Sequence, residues 1–154
     1  MRLSDYLRRD LVTLDLPPGG VEATLRTLAD MLEAAGVIQD AEPLTEALQE
    51  REAAHTTAME GGVAIPHATV AALDEPVLCI AVAPEGTDFG PEELEPVRLF
   101  FLLLSPPESA RLHIKILARI VRLLRHPGTL ERLKHVTTAE ALLDEIEQVE
   151  AQQR

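Results

Sequence analysis

Apolar residues recur along this chain at two different intervals. Val21, Leu25, Leu28, Met31 and Leu32 lie three or four positions apart, the spacing that lines one face of an α-helix, and Gly36 follows as a C-terminal stop. Gly19-Gly20 closes a short opening unit ahead of that helix. A second helical run begins at Pro43, carries Leu44, Ala47 and Leu48, and ends near His55-Thr56-Thr57, where two β-branched residues and then Gly61-Gly62 break the pattern. The interval then changes. Residues 77–83 and 97–104 are compact apolar runs bounded by Pro, Gly or acidic residues, which predicts strands buried on both faces, with residues 84–96 as an acidic surface loop between them. Ser105-Pro106-Pro107 ends the second strand, and Ser109 is placed to cap a helix running to about Arg125. Pro127-Gly128 interrupts it, a short helix follows through Leu133, and Thr137-Thr138 opens a last amphipathic helix bearing Leu142, Leu143, Ile146 and Val149. The tail, residues 151–154, is expected to fray. With no internal repeat and no dividing linker, residues 1–154 read as one α/β domain.

Composition narrows what such a domain does. The 154 residues carry 26 Asp+Glu against 14 Lys+Arg, a formal net charge of -12. A nucleic-acid binder needs a basic field to release counterions from the polyanion, so no nucleic-acid partner is expected, and an anionic membrane surface is equally unsuited. Hydrophobic residues at 46% exclude the disorder that such a charge would otherwise suggest. Aromatic residues are only 3% and Trp is absent, so the core is built from Leu, Ile, Val and Ala, as suits helices packed on a small sheet, and no base-stacking site is expected. Cys79, the single cysteine, allows no intramolecular disulfide and reads as a small buried apolar residue. Charges break the first ten residues too early for a secretory stretch, and the longest apolar runs fall well short of the roughly 20 residues a spanning helix needs. A soluble cytoplasmic protein without membrane insertion is the expectation.

Candidate chemistry centres on histidine. Five are present, at 55, 67, 113, 126 and 135, and no pair of them stands three or four residues apart on a helix, so with one cysteine no zinc site is expected. Phosphate-binding, dinucleotide-binding and nucleophile-elbow motifs are all missing from the sequence. His67 stands out because Gly61-Gly62-Val63-Ala64-Ile65-Pro66 leads into it, and the proline stiffens the approach so that the imidazole is aimed. The Gly61 and Gly62 N–H groups are candidates for an anion nest, Thr56 and Thr57 for hydroxyl donors, and Arg51 for a guanidinium facing a phosphate. The same local pattern also fits a turn histidine with a satisfied ring. At roughly 100° per residue, Arg111, Lys115, Arg119 and Arg122 share one stripe of their helix, whereas His113 falls among Leu117, Ile120 and Leu124 on the other side. His113 therefore points inward near a helix N-terminus, where an anion is favoured; a core histidine bonded to a carbonyl and a merely solvated basic stripe are the alternatives.

Taken in order, Arg51-Glu52, the run from Thr56-Thr57 through Ala64-Ile65-Pro66-His67, Gly86-Thr87-Asp88-Phe89, Pro96-Val97-Arg98-Leu99 and His113-Ile114-Lys115-Ile116 resemble the fructose and mannitol type of enzyme IIA of the bacterial phosphoenolpyruvate-dependent phosphotransferase system. That group includes the nitrogen-related regulatory IIA. The resemblance implies a mixed β-sheet flanked by helices, His67 as the phosphorylated histidine through Nε2, His113 as the second active-site histidine, and Arg51 beside the site. It implies a histidine-containing phosphocarrier protein as donor, a cysteine of a separate IIB domain or a regulated target protein as partner, and no cofactor. His113, the Thr56 and Thr57 hydroxyls and the Gly61-Gly62 N–H groups are then the expected phosphoryl shell, while Arg51 bonds phosphate or braces the loop. Two departures stand out: Glu60-Gly61-Gly62 replaces the family's usual Gly-Asn-Gly or Gly-Glu-Gly, and Ala68-Thr69 replaces the basic residue that often follows the histidine.

Overall fold

The two apolar runs form the central strands of the sheet. In the computed structural model, which describes residues 1–153, the elements along the chain are β1 (Leu7–Thr13), α1 (Gly20–Ala34), α2 (Ala41–Ala54), β2 (Ala58–Met59), β3 (Val63–Ala64), β4 (His67–Thr69), β5 (Val77–Thr87), β6 (Val97–Ser105), α3 (Ala110–Arg125), α4 (Thr129–Lys134) and α5 (Ala139–Gln152). The sheet order is β1-β5-β6-β3-β2, with β4 also on β6. β5 and β6 pair antiparallel, β1 runs parallel to β5, and both β3 and β4 run parallel to β6. The sheet is therefore mixed and lies between helices, the α/β arrangement expected.

Alternation along the central strands decides which helices cover which face. Leu78, Ile80 and Val82 join Leu99, Phe101 and Leu103 beneath Ile116, Ile120 and Leu123 of α3, Leu133 of α4, and Leu142 and Ile146 of α5. Cys79, Ala81 and Ala83 join Phe100, Leu102 and Leu104 beneath Leu25, Leu28 and Leu32 of α1 and Leu44 and Leu48 of α2. A fully buried Leu or Phe of this kind contributes roughly 1.5–3 kcal/mol, so the two faces of β5 and β6 carry most of the fold's apolar stabilisation. The parity extends outward to the shorter strands. Val63 and Ile65 lie on the α3 face with Leu99 and Phe101, whereas Ala64 lies on the α1–α2 face.

Several boundaries differ from the sequence reading. The opening unit contains β1, an edge strand whose Arg8, Arg9 and Asp10 are exposed. β5 continues through Pro84, Glu85 and Gly86, which had read as loop, because a bulge after Val82 lets Thr87 pair again with Val97. Ser109 occupies the N-cap of α3 but its hydroxyl caps nothing; a 3-10 turn at Pro107–Ser109 leads into the helix instead. Residues 151 and 152, expected to fray, are helical. α5 runs through Gln152, and Gln153 is tied to α3, its Nε2 donating to the Arg122 carbonyl at 2.9 Å while the Arg122 guanidinium donates to the Gln153 carbonyl. Arg154 lies outside the described residues. No described helix is long and apolar enough to cross a membrane.

Candidate active site

Pro66 shapes the site by interrupting a strand. Without an N–H it cannot donate to a ladder, so residues 63–69 pair with β6 in two pieces, Val63 and Ala64 with Leu99 and Phe100, then His67 to Thr69 with Leu103 to Ser105. β2 begins at Ala58, opposite Ala64, so no residue of β2 stands opposite Ile65. His67 Nδ1 sits 2.8 Å from the Ile65 carbonyl oxygen. A carbonyl only accepts, so Nδ1 carries the proton and donates it, and in the neutral ring Nε2 keeps its lone pair.

His67 continues the odd-numbered face of Val63 and Ile65, which turns it toward α3. His113, in the first turn of that helix, meets it there: the ring centroids are 5.4 Å apart with the planes at 60°. His113 Nδ1 lies 2.7 Å from Oγ of Ser105, the last residue of β6 and only 1% exposed. Burial holds the His113 pKa below its ordinary value of 6.5, and the neighbouring His67 pushes it the same way. In the free protein, therefore, the second ring favours its neutral form, beside the positive end of the α3 dipole.

The other residues singled out from sequence divide into those at this end of the sheet and those elsewhere. Arg51 sits in the last turn of α2 and its guanidinium donates to the His55 carbonyl at 2.7 Å, so it closes the helix and braces the corner leading to β2. Thr56 Oγ1 accepts from the Ala58 N–H at 3.1 Å, which leaves the hydroxyl proton uncommitted. Thr57 is held at two points by the buried Glu52, its N–H donating to Oε2 at 2.8 Å and its hydroxyl to Oε1 at 2.5 Å. That hydroxyl proton is thereby engaged within the protein.

Gly61 and Gly62 are not beside His67. They form the turn of the β2–β3 hairpin, with φ of +95° and +77°, and Gly62 aligns with Arg98 and Leu99 at the start of β6 while His67 aligns with Leu103. Four residues of strand separate the two places by about 13 Å at roughly 3.3 Å per residue. The Gly61 N–H donates to Glu95 Oε1 at 3.1 Å, and the Gly62 carbonyl accepts from Arg98 and Leu99. Both take the left-handed φ that only glycine adopts without strain, and the Gly61 N–H is already engaged by Glu95. The same separation removes Glu60, which is exposed on the hairpin, from the histidines.

Two residues escaped the sequence reading. Ser105 had served only to end a strand, although strand parity on β6, with Leu99, Phe101 and Leu103 facing α3, puts it on the His113 face. Glu52 sits on α2 among residues of mixed polarity, where no periodicity separates a buried acid from an exposed one.

The arrangement, a histidine with its Nε2 bared and a second histidine against it, occurs in a chain with clear relatives. A family model, "Phosphoenolpyruvate-dependent sugar phosphotransferase system, EIIA 2", matches residues 5–149. The chain is 31% identical over 140 residues to the fructose-specific EIIA component of Haloferax volcanii, covering 91% of each protein. It is 34% identical over 129 residues to a nitrogen regulatory protein of Bradyrhizobium diazoefficiens, covering 82% of this chain and 84% of that one. Its fold superposes on enzyme IIAMTL of Escherichia coli, solved in complex with phosphorylated enzyme IIBMTL, with a TM-score of 0.76 at 25% identity, covering 92% of this chain and 97% of that chain. This chain belongs to the EIIA 2 family of the phosphoenolpyruvate-dependent sugar phosphotransferase system.

Proposed function

We propose that His67 is the phosphorylated residue of this EIIA domain and that Nε2 is the accepting atom. The observation that carries the reading is the 2.8 Å bond from His67 Nδ1–H to the Ile65 carbonyl, which fixes the tautomer whose Nε2 is nucleophilic. As Nε2 attacks phosphorus on a phosphorylated histidine-containing carrier protein, a new N–P bond forms. The carrier's N–P bond breaks and its electron pair returns to the carrier's ring nitrogen. The His67 ring takes on positive charge, which the Ile65 carbonyl stabilises through the shared proton. One N–P bond replaces another, and the loose transition state spreads its charge over three oxygens, for which His113 and the Thr56 hydroxyl are the donors we assign. Onward transfer goes to the thiolate of a cysteine on a separate IIB domain, in the cytoplasm. The solved IIAMTL–IIBMTL pair supports that class of acceptor. Similarity to the nitrogen regulatory protein favours a second reading, in which the phosphorylation state of His67 changes affinity for a target protein and no acceptor cysteine follows.

The test is incubation with phosphoenolpyruvate, enzyme I and the cognate phosphocarrier, with intact mass measured before and after acid. Wild type gains one acid-labile phosphoryl group and His67→Ala gains none; an unmodified wild type, or a phosphorylated His67→Ala, overturns the assignment. Adding candidate IIB domains then separates the readings, since loss of label to a IIB cysteine marks transport and retention with every IIB marks regulation.

A further inference from the structure

We propose that Ser105 is a positioning residue that sets the tautomer of His113, holding its proton on Nε2 so that this nitrogen faces the site as a hydrogen-bond donor. Ser105 is buried at the end of β6, and its Oγ lies 2.7 Å from His113 Nδ1. The contact has two possible senses. If Nδ1–H donated to Oγ, the serine proton would need another acceptor, and among the described residues Oγ has no hydrogen-bond partner except this ring. A buried O–H without an acceptor is a costly state. If Oγ–H donates to Nδ1, both groups are satisfied and the ring proton resides on Nε2, which has no hydrogen-bond partner among the described residues, on a side chain that is itself only part-buried. The second sense leaves nothing buried and unpaired, so it is the one adopted.

The two rings then have opposite tautomers. His67 donates from Nδ1 to the Ile65 carbonyl and bares the Nε2 lone pair, while His113 accepts at Nδ1 and presents Nε2–H. The opposite His113 tautomer would present a second lone pair to the phosphoryl oxygens and repel them. Strand register produces this difference: Thr69 pairs with Ser105 two residues after His67 pairs with Leu103, and Leu99, Phe101 and Leu103 set the α3-facing parity that Ser105 continues. The tautomer of His113 does not depend on phosphorylation; its consequence for transfer rests on the function proposed above for His67.

The test reads tautomers directly by long-range 1H–15N correlation spectroscopy of the histidine rings in the full, unphosphorylated chain near pH 8. Wild type is expected to show His113 as the Nε2–H form and His67 as the Nδ1–H form. Ser105→Ala is expected to move His113 toward a mixture, a loss of roughly tenfold in tautomer preference, while His67 is unchanged; Ser105→Thr, which keeps the hydroxyl, restores the wild-type pattern. His113 found as Nδ1–H in wild type, or unaltered in a folded Ser105→Ala, overturns the proposal. Phosphorylation kinetics give a second readout. Ser105→Ala is expected to slow phosphorylation of His67 several-fold in wild-type background and not at all in His113→Gln, and an equal slowing in both backgrounds contradicts action through His113. Because the spectra are taken without phosphate, failure of the His67 assignment leaves them interpretable.

Discussion

Removing the Glu52 carboxylate is expected to destabilise the corner that leads into the site. Glu52 is 7% exposed at the end of α2, and its two oxygens accept the Thr57 N–H at 2.8 Å and the Thr57 hydroxyl at 2.5 Å. Hydrogen bonds to a charged acceptor contribute roughly 1.5–3 kcal/mol each. Thr57 is part-buried, so water enters after truncation and recovers a portion, and Glu52→Ala is expected to cost about 2–4 kcal/mol. With a urea m-value of about 2 kcal/mol/M, the unfolding midpoint falls by about 1–2 M. Glu52→Gln keeps one acceptor for the N–H and is expected to lose about half as much. The assay is urea unfolding followed by far-ultraviolet circular dichroism, together with the rate of His67 phosphorylation, since residues 56–58 lead directly into the hairpin that carries Ile65. A Glu52→Ala protein whose midpoint lies within about 0.3 M of wild type, below the ~1 M minimum shift expected, refutes the reasoning.

Three further outcomes follow from the geometry. The His113 pKa is depressed on folding, so the unfolded chain binds more protons in the interval below 6.5; this contribution to stability is complete above that value and is lost as pH falls. His113→Gln should therefore show a smaller drop in urea midpoint between pH 7.5 and 5.5 than wild type, and an equal drop removes the assignment. Gly62→Ala forces a left-handed φ on alanine and brings its Cβ 3.0 Å from the Pro96 carbonyl oxygen, so it is expected to cost about 1–3 kcal/mol while leaving the His67 phosphorylation rate within about twofold, measured at a temperature where the variant is folded. A large selective loss of phosphorylation would return the glycines to the site. Burial pushes the Cys79 thiol up, so native protein should react with a thiol reagent far more slowly than protein in denaturant.

The helices were legible because each covers one sheet face and so writes a 3.6-residue apolar rhythm into the sequence; the Leu25, Leu28 and Leu32 series is the plainest case. β5 and β6 were legible because burial on both faces makes a continuous apolar run. β1 was not, since an edge strand with Arg8, Arg9 and Asp10 exposed has no such run. β2, β3 and β4 are two or three residues long and exist through pairing with each other or with β6, a relation no local pattern records. At the site, the stiff Ile65-Pro66-His67 approach and the inward angle of His113 could be read from local geometry. The position of the glycine turn was hidden for the complementary reason: five residues from His67 along the chain reads as near, but pairing with β6 sets the two places four strand residues apart, about 13 Å.

The alternation that sends Val63, Ile65 and His67 to one side of the sheet also limits how this segment can vary in length. Inserting or deleting one residue between Val63 and His67 would rotate the imidazole to the α1–α2 side, into contact with Phe100, Leu102 and Leu104 and out of reach of His113. A change of two residues would preserve the direction but displace the ring one full strand repeat, about 6.6 Å, from its neighbour. The connection at 88–96 between β5 and β6 can lengthen or shorten at little cost, whereas residues 63–67 behave as a ruler with fixed graduations. Lineages carrying this chemistry are therefore expected to differ in length almost anywhere except there.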